Sequence, residues 1–488
     1  MNNQKYKVLD LFSGAGGFSL GFKKFHSDGS HPFEIVGAIE KDKYAVDTLI
    51  SSMIRQGMSE EEARRRVINN DITFEITKQK IYEVCPEVDI IIGGPPCQSF
   101  SIIGPRSGSK EKQEKFANDD RDFLFEHYIE ILEHYKPIFF VFENVRGIIS
   151  KNDTSGRRYI DIIAECFENI GYTLLSEDKK IKQKYLVLNA ADYGVPQLRE
   201  RVFIIGNRLN VDNPCPKKTH CPPESVAELG LLPYVTLRDA IGDLPEVFPK
   251  ITLTPLKKGI SIKYVSLERK NKIDMRNKHR NNGNDRAPYH WESFNTSYND
   301  GDINRKKYLD FIKPLNKQFL LTGHIARGQQ HSDIILFKGM NEGMSSKQLT
   351  NSDIPRHKFL ASLIKYKMNS FKDKYKKLSW DKPCNTVFAH MQKDGNRFIH
   401  PDSRQGRTLT VRETARIQSF PDDYIFEAPG NVRYKYIGNA VPPLLAMALA
   451  RAIYNAMTIN RHRFNVFEVY RPNIQIPDNH QTDIYGSS

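Results

Sequence analysis

The 488-residue chain predicts a doubly wound α/β fold with a second, smaller domain, and three observations carry that expectation. Over the first 210 or so residues, short apolar runs alternate with helix-like segments, the pattern of a parallel sheet covered on both faces. Those runs are nearly continuous in Val, Ile and Phe, as strands without a solvent-facing side require. Polar motifs follow three of the runs directly, at the strand ends where an open α/β sheet places its ligands. The sheet is therefore expected to be Rossmann-like and mostly parallel.

The elements follow in order. Strands are expected at 7–11, 34–39, 88–92, 138–142, 185–188 and 202–205, with helices at 43–55 and 123–134. From about 211 to 400 Pro, Lys, Asn and Arg are frequent and periodicity is weak. Within it, 267–286 carries many cations, and a solvated loop and a phosphate-contacting surface are both open readings there. Thr410-Val-Arg-Glu413 is a capping box that opens a helix, which Pro421 is expected to close. Pro442-Pro443 begins a second helix, apolar on most sides and so expected to be buried. The expected division is 1–210 plus 435–460, then 211–434, with 461–488 as a peripheral tail.

Composition narrows the partners. Lys and Arg number 72 against 58 Asp and Glu, a net charge of +14, which favours a polyanion and nucleic acid first. A hydrophobic content of 39% is that of a globular chain. The six cysteines (85, 97, 166, 215, 221 and 384) show no repeated spacing, and the start has no signal-peptide pattern. A soluble protein of a reducing compartment, with thiols free for chemistry, is expected. No apolar run is expected to reach the roughly 20 residues needed to span a bilayer. Cys215, Cys221 and His220 lack the spacing of a zinc finger, and no metal is expected.

The three strand-end motifs describe one pocket. Phe12-Ser-Gly-Ala-Gly-Gly17 follows the first strand, Gly93-Gly-Pro-Pro-Cys-Gln98 the run VDIII, and Glu143-Asn-Val145 the run IFFVF. The first loop lacks the third glycine of a dinucleotide fingerprint, where Ser19 stands, and a tight turn alone would also explain it. Glu40 ends the second strand a little over 20 residues on, where a carboxylate can accept both hydroxyls of a ribose. Asp71 follows a third short apolar element and could accept from an adenine amino group. Cys97 stands at a strand end after two prolines, a position better suited to a nucleophile than to packing. The Gly104 and Gly108 of the segment behind it suit a lid. Burial of Glu143 would raise its pKa and let it share a proton. Arg199 and Arg201 could be surface cations, or forked donors to a phosphate or a base carbonyl.

At these residues the chain resembles the C5-cytosine-specific DNA methyltransferase family of the bacterial restriction-modification type. The match comprises DLFSGAGGFSLGF (10–22), GGPPCQSFS (93–101), ENV (143–145), QLRER (197–201), RTLTVRETARIQSFPD (407–422) and GNAVPP (438–443), in the family's order. The resemblance implies an S-adenosylmethionine-dependent methyltransferase fold, with Cys97 adding to cytosine C6, Glu143 gripping the ring at N3, Arg201 holding O2 and Arg199 supporting the site. It also implies that Phe12, Ser13, Gly14, Ala15, Gly16, Gly17, Glu40, Asp71, Ile72 and Pro95 line the S-adenosyl-L-methionine site, closed by Asn439 and Val441. The target base lies inside a stacked duplex, so it must be flipped out.

The same resemblance makes 211–400 the target-recognition region, reading double-stranded DNA through a groove. His324-Ile-Ala-Arg327 is a candidate DNA contact there, with packing as its alternative. A monomeric cytoplasmic enzyme is implied, with a restriction endonuclease of the same site as its functional counterpart. Three other readings stay open. The same chemistry on tRNA is disfavoured because no Cys-Phe-Thr tripeptide is present. A catalytically silent DNA-binding protein is disfavoured by intact Cys97, Glu143 and Arg201, and a nicotinamide oxidoreductase by Ser19.

Overall fold

The structure, a computed structural model, describes residues 5–96, 124–153, 155–251, 286–290, 303–314, 319–365 and 374–460. Its centre is a sheet of seven strands in the order β3-β2-β1-β4-β5-β8-β6. They are β1 Tyr6–Leu11, β2 Phe33–Glu40, β3 Val67–Asn69, β4 Ile90–Gly93, β5 Phe139–Val145, β6 Leu186–Asn189 and β8 Glu200–Asn207. β7, Gln197–Leu198, pairs outside this sheet with Cys384–Asn385. β1 to β5 run parallel, and β8 lies antiparallel between β5 and β6. All the strands expected from sequence are present, most shifted by a residue or two. β5 is the exception that matters: it continues past 142, so Glu143 sits inside the strand opposite Phe203.

The two faces of the sheet have separate cores, as a doubly wound fold demands. Val8, Ile90, Ile92 and Val141 face one core with Phe18, Leu49, Leu445 and Ile453. Leu9, Ile91, Phe140 and Phe142 face the other with Ile81, Tyr128 and Phe167. Helix α1, Gly17–Lys24, approaches the C-terminal helix Pro443–Ile459 very closely, which its glycines permit. A Cβ on Gly21 would lie 2.3 Å from Ala446 Cβ, and one on Gly17 would lie 2.2 Å from the Val441 carbonyl oxygen.

Two sequence expectations change here. The stretch Gly430–Ile459 is long and apolar enough by composition to cross a membrane, but 67% of its most apolar window is buried inside the protein. Its apolar side is spent on the first core. The helix opened by Thr410 runs over Val411–Ile417, with both halves of the capping box formed. It ends before Pro421 is reached: Ser419 takes a left-handed conformation (φ 63°), which turns the chain out of the helix.

The region of weak periodicity holds short helices, among them Ile303–Ile312 and His331–Gly339. Their turns are too few for a strong amphipathic signal, and most of 252–302 lies outside the described residues. A third core joins Leu237, Ile241, Tyr308, Ile312, Leu409, Ile417 and Tyr434 with Ala15, Leu20 and Ala45. This third core is thus seated on α1 and on α2, Lys43–Arg55. A charged network at its centre is closed by Glu413, which takes two 2.7 Å bonds from Arg407.

Buried histidines give this interior a pH dependence. Burial pushes His220 and His324 down to about 4, and His400 down to about 3. An unfolded histidine titrates near 6.5, so between about pH 6.5 and 4 the unfolded chain binds more protons than the folded one. Stability then rises with pH across that window. It is complete above the unfolded value and is lost as pH falls toward the folded ones. A melting temperature lower at pH 5 than at pH 7, by about 5 °C or more, is expected. An equal or higher value at pH 5 would show the rings charged in the native state.

Candidate active site

The strand order reverses between β1 and β4, and an open sheet binds its ligands outside the carboxyl ends at such a reversal. The loop after β1 begins with Phe12 at φ 58°, unusual for a side chain other than glycine. Ser13 ties the loop down, its Oγ donating to the Asp10 carbonyl at 2.6 Å and its N–H to the Ile39 carbonyl at 3.0 Å. Gly14 follows at φ 53° with nothing within 4 Å of where a Cβ would be. The next three residues serve packing. Ala15 points into the third core, a Cβ on Gly16 would lie 2.6 Å from Leu49 Cδ2, and Gly17 meets Val441. The open face of the loop is therefore at Gly14.

Glu40, at the end of β2, turns to this opening. Its Oε2 accepts the Gly14 N–H at 2.9 Å and its Oε1 the Asp42 N–H at 2.8 Å. Each carboxylate oxygen keeps a second lone pair. Desolvation raises the Glu40 pKa against these two bonds. Asp71 lies just past β3, where its side chain accepts from Thr73 and from the Lys41 ammonium at 3.0 Å. Ile72 is buried against the second face of the sheet. Pro95 is also buried, its carbonyl accepting from Asn144 Nδ2 at 3.4 Å. Asn439, exposed, ends the helix Arg433–Asn439, and Val441 is buried on α1. An open glycine turn, a carboxylate with free lone pairs and no cationic side chain in that loop suit a nucleoside half without a pyrophosphate.

On the other side of the reversal stands an acid–guanidinium pair. Glu143 Oε1 is 3.2 Å from Arg201 Nε, with the two side chains only 12% and 13% exposed. The register of β5 against β8 places Val145 opposite Arg201, so the pair bridges adjacent strands. A Cβ on Gly94 would lie 2.6 Å from Glu143 Oε2. Only a glycine lets the carboxyl come against the loop that leads into Cys97. Desolvation raises the Glu143 pKa, and the charges of Arg201 and Arg199 pull it back in part. Cys97 itself, with 98–123, lies outside the described residues.

Arg199 takes another role than its neighbour. It is fully buried, and its guanidinium donates to the carbonyls of Val387 at 2.8 Å, Gly438 at 2.9 Å and Ala440 at 3.1 Å. It ties the chain between β7 and β8 to Val387 and to the GNAVPP turn. Gln197 reinforces the tie, accepting the Val387 N–H at 2.8 Å and donating to Ile417. Of the candidate DNA contacts, His324 is buried between Thr410 Oγ1 and the Pro245 carbonyl. Arg327 lies over the Tyr434 ring, 4.8 Å from its centroid, and donates to Met391. The ring nitrogens of His324 are thus committed to the interior, whereas Arg327 is half-buried and its Nε and Nη1 have no hydrogen-bond partner among the described residues. Among the described residues no group of three His, Cys, Asp or Glu side chains could hold a metal ion.

Sequence reasoning missed two local arrangements. Ser19, noted only for the glycine it replaces, donates its hydroxyl to Asp10. That buried carboxyl is pushed up to about 7 by desolvation. Asp42, which no sequence motif singles out, binds both Lys435 and Tyr436.

Fold and site together define an α/β transferase with an S-adenosylmethionine-dependent methyltransferase fold and a carboxyl–guanidinium pair beside the strand-end opening. The chain belongs to the C-5 cytosine-specific DNA methylase family, whose pattern matches residues 6–455. It is thus a DNA (cytosine-5-)-methyltransferase. It is 31% identical to the type II methyltransferase M.Bpa9945I of Bacillus paralicheniformis, covering 93% of this chain and 99% of that one. It is 34% identical to the type II methyltransferase M.DdeI of Desulfomicrobium norvegicum, over 91% and 88%. Among solved structures, a prophage-encoded E. coli chain assigned as a DNA modification methyltransferase superposes with a TM-score of 0.54 at 23% identity, covering 93% of this chain and 100% of that one. This last likeness concerns the fold.

Proposed function

We propose that the chain methylates carbon 5 of a flipped-out cytosine in a specific double-stranded DNA site, with S-adenosyl-L-methionine as donor and Cys97 as nucleophile. The observation that carries this reading is the Glu143–Arg201 pair, held 3.2 Å apart against the loop that leads into Cys97. Cytosine C5 is a poor nucleophile until C6 carries a covalent adduct, so the reaction needs a soft nucleophile and an acid beside one ring.

Cys97 Sγ, as thiolate, forms the bond to C6. Glu143 presents its proton to N3, and the ring's electron density moves to C5. Arg201, already turned to Glu143, donates to O2 and holds the ring in plane with the acid. Once C5 has taken the methyl group, a base or water removes the C5 proton, C5–C6 re-forms as a double bond, the thiolate leaves and N3 returns its proton to Glu143. S-adenosylmethionine, when bound, supplies the activated methyl group that C5 takes. Glu40 would accept its ribose hydroxyls, the open turn at Gly14 would receive its backbone side, and Phe12, Asp71 and Ile72 would flank the adenine. Asn439 and Val441 would close the methionine end.

The basic charge and the second domain expected from sequence support a duplex partner, with phosphate contacts offsetting the unstacking that base flipping requires. The names of the relatives favour a restriction-modification role, with a cognate endonuclease recognising the same site and the enzyme working as a monomer on DNA in the cytoplasm. The test is methyl transfer from labelled S-adenosylmethionine to duplex DNA and to tRNA, with bisulfite sequencing of DNA from expressing cells. Label in DNA and protected cytosines at one recurring sequence are expected. Label in tRNA alone would overturn the DNA assignment.

A further inference from the structure

The cofactor cleft is bounded by two pieces of chain far apart in sequence, the corner after β2 that carries Glu40 and the helix Arg433–Asn439. One side chain joins them. Asp42 accepts the Tyr436 hydroxyl on Oδ1 at 2.6 Å and the Lys435 ammonium on Oδ2 at 2.8 Å, 394 and 393 residues away in the chain. Its Oδ1 also caps α2, accepting the Tyr44 N–H at 3.1 Å. Its own N–H donates to Glu40 Oε1 at 2.8 Å. The Asp42 carboxyl is held below the ordinary aspartate range, because the bonds from Lys435 and Tyr436 outweigh the desolvation that opposes them.

We infer that Asp42, Lys435 and Tyr436 form a latch that fixes the ribose corner to the helix ending at Asn439, and so sets how long the methyl donor stays bound. The inference rests on the cofactor reading above. Glu40 cannot move away from the Gly14 turn without drawing on Asp42, and Asp42 cannot move without releasing Lys435 and Tyr436. Asn439 lies on the same helix as those two residues and would reach the far end of the donor. The latch therefore couples the two ends of one ligand through the protein. Lys435 and Asp42 are 38% and 28% exposed, so added salt competes with the ion pair. Asp42 and its two partners are positioning residues, with no part in the bond-making steps.

The test is calorimetric binding of S-adenosylhomocysteine to the full chain without DNA, together with stopped-flow release of the same ligand. Lys435→Met and Tyr436→Phe leave the α2 cap intact, so they open the latch without removing a helix cap. Each is expected to weaken binding and speed release by roughly fivefold, in the range of a partly exposed ion pair or a hydrogen bond to a charged group. The pair of changes together should give about tenfold or more. The methylation rate at saturating donor should stay within about twofold, with the loss confined to KM. Raising the salt should speed release from the wild type and leave the Lys435→Met protein nearly unchanged. Asp42→Asn, which can still cap α2, should resemble Lys435→Met. Wild-type affinity and release in both single variants would overturn the latch while leaving the cofactor site standing. A wild-type chain that binds no S-adenosylhomocysteine would overturn the cofactor site and the latch with it.

Discussion

Replacing Cys97 with serine is expected to abolish methyl transfer, by roughly a thousandfold or more, while duplex binding changes little. A hydroxyl at that position is nearly the same size but is not ionised near neutral pH, and as an alcohol it adds poorly to C6. Without the C6 adduct the ring gains no electron density at C5, and Glu143 alone cannot supply it. The loop from β4 would still be placed by Gly94 against Glu143 and by the Pro95 carbonyl at Asn144, so the defect should lie in chemistry. A second measurement makes the role specific. Duplex DNA carrying 5-fluorocytosine at the target should trap the wild-type chain covalently in the presence of donor, because fluorine cannot leave C5 as the proton does. The serine variant should form no such complex. Turnover in Cys97→Ser near the wild-type rate would remove the thiol from the mechanism.

Glu143→Gln is expected to slow the chemical step by roughly 10²- to 10³-fold, again with DNA affinity retained. Glutamine keeps the shape and can still donate an N–H, but it has no proton to share with N3. The structure also sets a sign for the pH dependence. Burial of Glu143 against Gly94 raises its pKa, with Arg201 and Arg199 opposing, so a larger fraction holds its proton near neutrality than for a free glutamate. The single-turnover rate of the wild type should therefore fall as pH rises through the raised value, because the ionised carboxylate has no proton to offer. The glutamine variant should lack that limb. An unchanged rate, or the same alkaline limb in the variant, would show that another group acts at N3.

The latch and the Arg199 clasp show why such a site is only partly legible from its sequence. Arg199 stands two residues from Arg201 in QLRER and looks equivalent to it. In the fold, Arg199 stands in the break between β7 and β8, outside the strand that carries Arg201, so the two do not share a strand face: one guanidinium turns toward Glu143 and the other into the interior, where the carbonyls of Val387, Gly438 and Ala440 await it. His324 has the composition of a DNA contact and is used in packing. Gly16 and Gly17 belong to a ligand-loop motif, yet their missing side chains make room for Leu49 and Val441. In each case the residue type was informative about what the side chain can do, and silent about what would stand opposite it.

What the sequence alone determined was the repertoire of elements and reactive groups. Apolar runs buried on both sides specify strands of a sheet covered on both faces, helix α2 could be placed to its ends at Lys43 and Arg55, and the capping box at Thr410 was readable because its two partners are three residues apart. Cys97, Glu143 and Glu40 could be singled out because each follows or ends an apolar run in the sequence, and the ends of such runs are where an open sheet binds. Only the tertiary structure decided which of these groups meet. The pairing of β5 with β8 set Glu143 against Arg201, and the return of the chain after 430 brought Lys435 and Tyr436 to Asp42. Local preferences act over a few residues, whereas these contacts close loops of tens to hundreds, and their geometry follows from how the cores pack.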